Sequence, residues 1–457
     1  MTGRGRSGLS PARRTALTAL LAMAKGRFAG DALDEAMAAA GSLSPADRAL
    51  ATEIAYGVAR RQGTLDYYLG HVSRRPLPKL DRPLLQILRG AVYELFYLDR
   101  VPERAVVHQA VEAARLHGGV GAARFANGVL RNLLRQKESI PVPQAEDDPE
   151  GYLAIVHSHP PFLVRRWLAR FSFEEALALC RANNRVPPLT IRVNLLRARP
   201  QQVQEQLAAA GVAARPGRWL PEALILEGTA GYGPAQLPNF RAGHYTFQDE
   251  ASMLVSRVVA PQPGEQVLDA CSAPGTKTTH MAELMGGRGR VTAVDIDPVR
   301  LARVTEGARR LGLSIVEARP MDARDLPEHF GPEFDRVLVD APCTGFGTLA
   351  RRPDLRWQKQ EEDIAALARL QGEIMAAAAR VVRPGGALVY TVCTNEPEET
   401  YEIVEQFLKA HDEFAPDALA PYLPGALAAE AEGHQLMLWP HRHGTDGFFI
   451  ARLRRLP

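Results

Sequence analysis

Residues 267–278, VLDACSAPGTKT, join a short apolar strand to a loop of small residues and then to the start of a helix. In an open parallel sheet, the loop after the first strand is where a nucleotide-like ligand binds. The next predicted strand, residues 291–294, leads into Asp295, twenty residues after Gly275. An acid at this spacing is placed to accept hydrogen bonds from ribose hydroxyls. The sequence therefore predicts a parallel sheet with a nucleoside-containing cofactor at its edge.

The same loop lacks the G-x-G-x-x-G pattern, whose glycines let the backbone approach a pyrophosphate. One glycine, one proline and an acid at the strand end suit a ligand without a pyrophosphate, and S-adenosylmethionine, with its adenosine and cationic sulfonium, fits. Asp322 follows the strand-like residues 314–316 and is placed to reach the adenine amino group. A lone aspartate is more often a loop cap, but three acids that end successive strands favour the cofactor interpretation.

Two cysteines follow the next two predicted strands. Residues 334–340 end in Asp340 and lead into Cys343, and residues 385–392 lead into Cys393. An exocyclic amine is already a nucleophile, whereas C5 of a pyrimidine becomes one only after a thiolate adds to C6. A cysteine beside an acid at this strand end therefore points to methylation of a pyrimidine at C5.

The alternative for a free cysteine is a small buried hydrophobic residue, which is its usual role. We assign Cys180 and Cys271 mainly to that role, whereas the strand-end positions of Cys343 and Cys393 weigh against it. No C-x-x-C pair is present, which argues against a structural zinc site. Four widely spaced cysteines point to a reducing compartment, and no run reaches the roughly eighteen apolar residues of a membrane span. We therefore expect a cytoplasmic protein with no membrane partner.

The chain has 457 residues, 46% of them hydrophobic and 23% charged, which excludes a disordered tail, a collagen and a small disulfide scaffold. Residues 8–136 read as nearly all helix, residues 137–150 as a linker, and the following stretch to about 240 as a small α+β module with strands at 189–194 and 223–226. From about residue 243, strands and helices alternate. We expect an α/β protein with a helical domain at 1–140, a linker and α+β module at 141–242, and a Rossmann-like doubly wound domain at 243–457.

Charge is unevenly distributed along the chain. Residues 1–140 hold 21 Lys and Arg against 12 Asp and Glu, a balance of +9, whereas the remainder holds 34 against 40. A basic front third suggests a polyanionic partner, although a well-solvated helical surface explains the excess equally well.

Several motifs carry a resemblance to known families. The stretches DACSAPGTKT (269–278), DAPCTGFG (340–347), YTVCTNEPEE (390–399) and PHRHGTDGFFIARL (440–453) resemble the RNA cytosine-5 methyltransferases. RRTALTALL (13–21), AVVHQAVEAAR (105–115) and RFANGVLRNLLR (124–135) resemble the antitermination factor NusB. The combination is similar to the bacterial RsmB/Sun-type subfamily, whose members methylate one cytosine of 16S ribosomal RNA, position 967 in the usual RNA numbering.

The resemblance implies roles for individual residues. Cys393 would be the nucleophile at C6, Cys343 would help to remove the C5 proton and release the enzyme, and Asp340 would contact the N3 and amino side of cytosine. The DNA cytosine-5 enzymes use the cysteine after proline, here Cys343, as nucleophile, but the YTVCTNEPEE context favours Cys393. The S-adenosylmethionine site would comprise Cys271, Ser272, Ala273, Pro274, Gly275, Thr276, Lys277, Asp295 (ribose), Asp322 (adenine) and Asp340.

Lys277 is also a candidate catalytic residue, since it is placed to hold Asp340 or an anion on the RNA side; the alternative is an ordinary lysine on a helix face. RNA-contact candidates are the basic-aromatic cluster after the Cys343 loop and, more weakly, two residues of the α+β module: Arg351, Arg352, Arg356, Trp357, Arg192 and Asn194. The alternative for the cluster is a surface helix start with one buried tryptophan. The histidine-rich residues 439–443 read as substrate-side surface, and no metal is expected.

The function expected from the resemblance is cytosine-5 methylation of 16S ribosomal RNA by a monomer. Two alternatives stay open: the same chemistry on transfer RNA, and a non-catalytic RNA-binding assembly factor on a methyltransferase scaffold. The +9 balance of residues 1–140 does not decide whether that domain binds RNA or protein.

Overall fold

The computed structural model describes residues 8–229 and 233–457, without the side chain of Pro234. Residues 1–7, the first of the predicted helical domain, lie outside the described part. The chain forms two compact units: Met1–Arg185 with Leu349–Lys359, and Val186–Thr348 with Gln360–Pro457. The predicted α+β module is therefore divided, because its early helices belong to the first unit and its strands to the second.

The helices before residue 186 are α1 (Pro11–Met23), α2 (Ala29–Ala40), α3 (Pro45–Val72), α4 (Arg82–Tyr97), α5 (Glu103–Gln136), α6 (Pro149–Gly151), α7 (Pro161–Leu168) and α8 (Phe173–Asn183). The later elements are β1 (Leu189–Val193), α9 (Pro200–Ala209), β2 (Ala214–Pro216), β3 (Ala223–Leu226), β4 (Tyr245–Phe247), α10 (Glu250–Val259), β5 (Gln266–Asp269), α11 (Thr276–Leu284), β6 (Arg290–Asp295), α12 (Pro298–Leu311), β7 (Val316–Pro320), α13 (Leu326–His329), β8 (Phe334–Asp340), α14 (Leu355–Gln358), α15 (Glu361–Val381), β9 (Val382–Val392), α16 (Tyr401–Ala410), β10 (Phe414–Pro416), α17 (Gly425–Glu430), β11 (Gln435–Leu438), α18 (Pro440–His443) and β12 (Phe448–Arg455).

The first unit is helical, as the sequence predicts. Its helices α1 to α5 share one apolar core, which includes Leu20, Leu69, Leu88 and Leu130. The start of α3 follows from local chemistry, because the Ser44 hydroxyl accepts a hydrogen bond from the Asp47 amide at 3.1 Å and proline occupies the first helical position.

The second unit contains two sheets in its described residues. The smaller sheet has the order β2-β3-β1-β4 and is antiparallel throughout, which confirms the two strands predicted for the α+β module. The larger sheet has the order β10-β12-β9-β8-β5-β6-β7, with β11 paired to β12. Strands β5 to β9 run parallel, and β12 joins β9 antiparallel. The predicted Rossmann-like class is confirmed.

Helices cover both faces of the larger sheet. Alternate strand residues divide between two cores: Leu268 packs with α15 and α16 on one face, whereas Val267 packs with α10, α11 and α12 on the other. The strand order reverses between β5 and β8, since the chain first adds β6 and β7 on one side and then β8 and β9 on the other. Ligands of such sheets bind at the carboxyl ends of the strands at this reversal.

One strand lies later in the chain than expected. The sequence suggested a strand at residues 314–316, whereas β7 spans Val316–Pro320. Helix α12 ends at a left-handed Gly312, and the next residues form the turn that returns the chain to the sheet. Asp322 consequently follows its strand by two residues, which places it closer to the sheet edge than the predicted strand would.

Candidate active site

The loop between β5 and α11 is held from both sides by the neighbouring strands. The Ala270 amide donates to the Leu338 carbonyl at 2.9 Å, and the Ser272 amide donates to the Val294 carbonyl at 2.8 Å. Gly275 has φ 99°, and a Cβ atom at this position would lie 2.9 Å from the Val304 Cα. Glycine is therefore required here both for its conformation and for the close packing of the loop on α12.

Asp295 and Asp322 follow the carboxyl ends of β6 and β7. Asp295 is buried, and its Oδ2 accepts from the Ala273 amide at 3.1 Å, so this acid ties the second strand to the cofactor loop. The Met321 amide donates to the Asp295 carbonyl at 3.1 Å, which joins the two acidic segments. Asp322 forms an ion pair with Arg324 at 2.7 Å, and hydrogen bonding from Arg324 lowers the pKa of the Asp322 carboxyl.

Two buried polar atoms of this loop have no hydrogen-bond partner among the described residues: Asp269 Oδ1 and Ser272 Oγ. The other Asp269 oxygen accepts from the Thr278 hydroxyl at 2.6 Å. Burial raises the pKa of the Asp269 carboxyl to about 7. Since unpartnered buried polar groups are costly, their presence here fits a ligand that donates hydrogen bonds to the loop.

The buried Lys277 forms an ion pair with the partly exposed Asp340 beside this loop. Lys277 Nζ lies 2.6 Å from Asp340 Oδ2 and 5.0 Å from the centre of the Phe448 ring. Burial opposes the charge of Lys277, but the attraction of Asp340 outweighs it and raises the pKa of the lysine. Of the roles considered for Lys277, the structure shows the contact with Asp340.

The two candidate catalytic cysteines lie together. Cys343 Sγ is 3.4 Å from Cys393 Sγ, although fifty residues separate them in the chain. The hydrogen-bond contact with Cys393, together with burial, raises the pKa of the Cys343 thiol well above its usual range. This shift favours the protonated form of Cys343, and either sulfur atom can be the donor in the contact.

The other two cysteines, Cys180 and Cys271, have the properties of packing residues. Cys180 is fully buried in the first unit, where burial raises the pKa of its thiol to about 12. Burial, with the nearby carboxylates Asp340 and Asp269, raises the pKa of Cys271 well above its usual range. Both thiols therefore remain protonated and unreactive at neutral pH, as a packing role requires.

The predicted RNA contact of Arg356 requires correction. Its side chain is fully buried within the first unit, and its guanidinium donates to five oxygen acceptors on Arg60, Ser158, Asn183, Asn184 and Leu349. Because its side chain is buried and hydrogen-bonded within the unit, Arg356 has a structural role and cannot bind a phosphate.

The neighbours of Arg356 differ in exposure. Trp357 Nε1 donates to the Ala59 carbonyl at 2.6 Å, which agrees with the alternative of an inward-facing tryptophan at a helix start. Arg352 lies over the Phe28 ring at 4.3 Å. Arg351 and Arg352 are partly exposed and stay candidates for RNA contact.

Arg192 and Asn194 also require correction, because both are fully buried in the second unit. Arg192 forms an ion pair with Glu283 at 2.9 Å and donates to the Thr276 carbonyl at 2.7 Å. Asn194 donates to the Gly243 and Leu311 carbonyls. Arg192 thus ties the smaller sheet to helix α11, and neither side chain is free to bind RNA.

The histidine-rich segment 439–443 is only partly a surface. His443 is buried, with Nε2 2.9 Å from a Glu430 carboxylate oxygen and Nδ1 2.7 Å from the Trp439 amide, so the expectation of a substrate-side surface is wrong for this residue. No group of three or more His, Cys, Asp or Glu side chains within 8–229 and 233–457 is arranged to hold a metal ion. In the same ranges, no helix has both the length and the apolar character needed to cross a membrane.

Sequence reasoning did not single out Glu399, which is fully buried and accepts hydrogen bonds from the residues that follow both cysteines. It lies in the acidic stretch after Cys393, where nothing in the local pattern distinguishes it from Glu396 or Glu398. Two of its hydrogen-bond partners, Thr344 and Gln371, are 55 and 28 residues away in the chain, so no local sequence signal identifies it.

Comparison with known proteins gives three family matches. Residues 256–454 match the family described as 16S rRNA methyltransferase RsmB/F, residues 10–135 match the NusB family, and residues 159–231 match the RsmF/B-like ferredoxin-like domain. A similar curated relative is the probable ribosomal RNA small subunit methyltransferase B of Bacillus subtilis, 39% identical over 97% of this chain and 98% of the relative. That of Synechocystis is 36% identical over 90% and 92%.

Solved structures agree with these matches. The crystal structure of PH0851 superposes with a TM-score of 0.85 at 31% identity and covers 97% of this chain and 98% of that one. A methyltransferase homologue from Pyrococcus horikoshii has a TM-score of 0.56 at 28% identity and covers 66% of this chain and 98% of its own. The first of these similarities extends over nearly the whole chain and is not confined to the larger sheet.

Proposed function

Because the chain belongs to the 16S rRNA methyltransferase RsmB/F family, we propose that it uses S-adenosylmethionine to methylate C5 of one cytosine in 16S ribosomal RNA, at position 967, through a covalent cysteine–C6 adduct. The observation that carries this proposal is the pair of thiols, Cys343 and Cys393, 3.4 Å apart beyond the carboxyl ends of β8 and β9. Methylation of an amine needs no thiol, whereas activation of C5 needs a thiolate that adds to C6, and the second thiol is placed to assist that reaction.

The cofactor, when bound, supplies a methyl group on a positively charged sulfonium. Asp295 would accept from the ribose hydroxyls and Asp322 from the adenine amino group, as the strand-end positions suggest. Asp269 Oδ1 and Ser272 Oγ, which are buried without partners among the described residues, would accept hydrogen bonds from the cofactor's polar groups. The other loop residues, 271 and 273–277, would line the site, where Gly275 lets the loop pack closely on α12.

Cys393 begins the reaction by adding its thiolate to C6, which turns C5 into an enamine-like nucleophile. C5 then takes the methyl group and carries both that group and its original proton. Loss of this proton and cleavage of the C6–sulfur bond restore the aromatic ring and the Cys393 thiolate. Asp340, held by Lys277 at 2.6 Å, accepts from the exocyclic amino group on the N3 side of the base and orients the ring.

Cys343 acts both at the first step of the reaction and at the last. Before the attack, its S–H donates to the Cys393 thiolate across 3.4 Å. Its raised pKa depends first on this contact, and once Cys393 is bonded to carbon the contact no longer opposes ionisation. Cys343 then gives its own proton to solvent, and the resulting thiolate accepts the C5 proton and allows release.

The chemistry also requires access to both faces of C5 and C6, so the target cytosine must lie in a loop or leave its stack. The proposal is tested by mapping 5-methylcytosine in ribosomal and transfer RNA from cells with and without the gene. We expect one 16S site to lose its methyl group. Loss from transfer RNA instead would overturn the substrate, and no change in either RNA, together with cofactor binding but no transfer in vitro, would favour a non-catalytic assembly factor.

A further inference from the structure

Glu399 is a fully buried carboxylate that connects the loops of the two cysteines. Its Oε1 accepts from the Thr344 amide at 2.9 Å and from Gln371 Nε2 at 3.0 Å. Its Oε2 accepts from the Thr344 hydroxyl at 2.5 Å and from the Thr394 hydroxyl at 3.2 Å. All four groups belong to residues that are themselves fully buried.

Two of the residues that bind Glu399, Thr344 and Thr394, are adjacent in the chain to the two candidate catalytic cysteines. Thr344 directly follows Cys343, and Thr394 directly follows Cys393. The two threonine hydroxyls are also 2.8 Å apart. One carboxylate therefore joins the two backbone segments whose sulfur atoms lie 3.4 Å from each other.

Burying a carboxylate to join two loops has a large desolvation cost. Removing a charge from water costs several kcal/mol unless hydrogen bonds compensate, and an apolar pair of similar size often stabilises a fold as well. Burial raises the pKa of Glu399, and the hydrogen bonds from Thr344, Gln371 and Thr394 only partly oppose this. Stability alone is therefore a weak reason for a carboxylate at this point, whereas fixed geometry is a strong one, since four directional hydrogen bonds define the position of both loops.

We propose that Glu399 is a positioning residue that sets the separation of Cys343 Sγ and Cys393 Sγ, so that both sulfur atoms reach adjacent carbons of one cytosine ring. The inference rests on the proposed function, because it assumes that one thiol attacks C6 while the other serves C5. A displacement of about 1 Å at such a site can slow a reaction about a hundredfold. Glu399 touches neither the substrate nor the cofactor loop and acts only through Thr344 and Thr394.

Three variants test the role. Glu399→Gln keeps the side-chain length and an acceptor for the Thr344 amide, and the two hydroxyls can turn to accept from its amide. Glu399→Asp keeps the charge but is one methylene too short to join both loops, and Glu399→Ala removes the link. The matched control is Glu405→Gln, which makes the same change at an exposed position of α16.

The measurements are single-turnover methyl transfer to 16S RNA, the fraction of protein trapped as RNA adduct, cofactor affinity and the unfolding midpoint. We expect Glu399→Gln to stay within about threefold of the unmodified protein in methyl transfer. Glu399→Asp and Glu399→Ala should slow it by about ten- to a hundredfold and raise the adduct fraction, with cofactor affinity nearly unchanged.

Methyl-transfer rates in folded Glu399→Asp and Glu399→Ala equal to that of the unmodified protein would overturn the positioning role. The positioning role would also be overturned if Glu399→Asp lost methyl transfer only to the extent that it lost folding or cofactor binding. A residue with a purely structural role would give that result. If Glu399→Ala does not fold, Glu399→Asp and Glu399→Gln still test the positioning role. Methyl transfer that survives Cys393→Ala would instead overturn the proposed function, so the two failures are distinguishable.

Discussion

At the residue scale, the candidate site is organised by carboxylates in different surroundings. Asp340 has a lysine partner at 2.6 Å, Asp295 accepts backbone amides, and Asp269 has one oxygen with no partner among the described residues. The sequence identified Asp269, Asp295 and Asp340 as strand-end acids because the strand pattern is local. It offered Asp340 as one of two partners for Lys277, but it did not predict that Asp295 accepts from the Ala273 amide, because that contact depends on how the loop folds back on β6.

Asp269 should make the stability of the unliganded protein depend on pH. Its folded pKa of about 7 exceeds the ordinary value of 3.8, so its contribution to stability is fully present below pH 3.8 and is lost as the pH rises through about 7. Between about pH 4 and pH 8 this loss amounts to up to about 4 kcal/mol. Chemical unfolding of the wild type and of Asp269→Asn across this range measures it, and the difference between the two should follow the same curve. A pH-independent difference would contradict the burial argument.

At the element scale, the sequence predicted best those helices and strands whose positions depend on residues close to each other in the chain. The strands β1 (Leu189–Val193) and β3 (Ala223–Leu226) follow from the residues within each short segment, and both were expected. The start of β7 at Val316 depends on how Gly312 turns the chain after α12, and the sequence pattern placed that strand two residues too early.

The junction of the cofactor loop with α12 gives a second prediction. Gly275→Ala would place a methyl group 2.9 Å from the Val304 Cα at a φ of 99°, so the loop must shift. We expect cofactor affinity to fall about tenfold or more and stability to fall by about 1–3 kcal/mol. Isothermal titration and chemical unfolding measure the two effects.

Gly307→Ala is the matched control for this substitution. Gly307 lies within α12, and a Cβ atom there meets nothing within 4 Å. Alanine should stabilise the helix by about 0.5–1 kcal/mol and leave cofactor affinity unchanged. Equal affinity losses in both variants would show that α12, and not the loop conformation, governs cofactor binding.

At the scale of the whole molecule, the least predictable feature is the membership of Leu349–Lys359 in the first unit. The sequence placed this segment in the catalytic domain because it follows the Cys343 loop by a few residues. Arg356, however, donates to carbonyls of Arg60 and Asn183, which are more than 170 residues away in the chain. Charge and an aromatic neighbour suggested RNA contact, but the burial of Arg356 is a property of the complete fold.

This difference between buried and exposed arginines gives a third prediction. Arg356→Met should destabilise the protein by about 2–4 kcal/mol, because it leaves buried carbonyls without donors, while the salt dependence of RNA binding by the folded fraction stays the same. Arg351→Gln, at a partly exposed position, should change stability little and reduce the slope of log affinity against log salt by about 1. A reduced slope with Arg356→Met and an unchanged slope with Arg351→Gln would reverse the two assignments.

The proposed reaction depends on attack at C6 by Cys393 and on release of the adduct with the help of Cys343. The most direct measurement incubates Cys343→Ala and Cys393→Ala separately with 16S RNA and cofactor, and then detects covalent RNA–protein adduct by denaturing gel and mass spectrometry. We expect Cys343→Ala to accumulate a methylated adduct through Cys393 and Cys393→Ala to form none. An adduct formed by Cys393→Ala would contradict the assignment and make Cys343 the nucleophile.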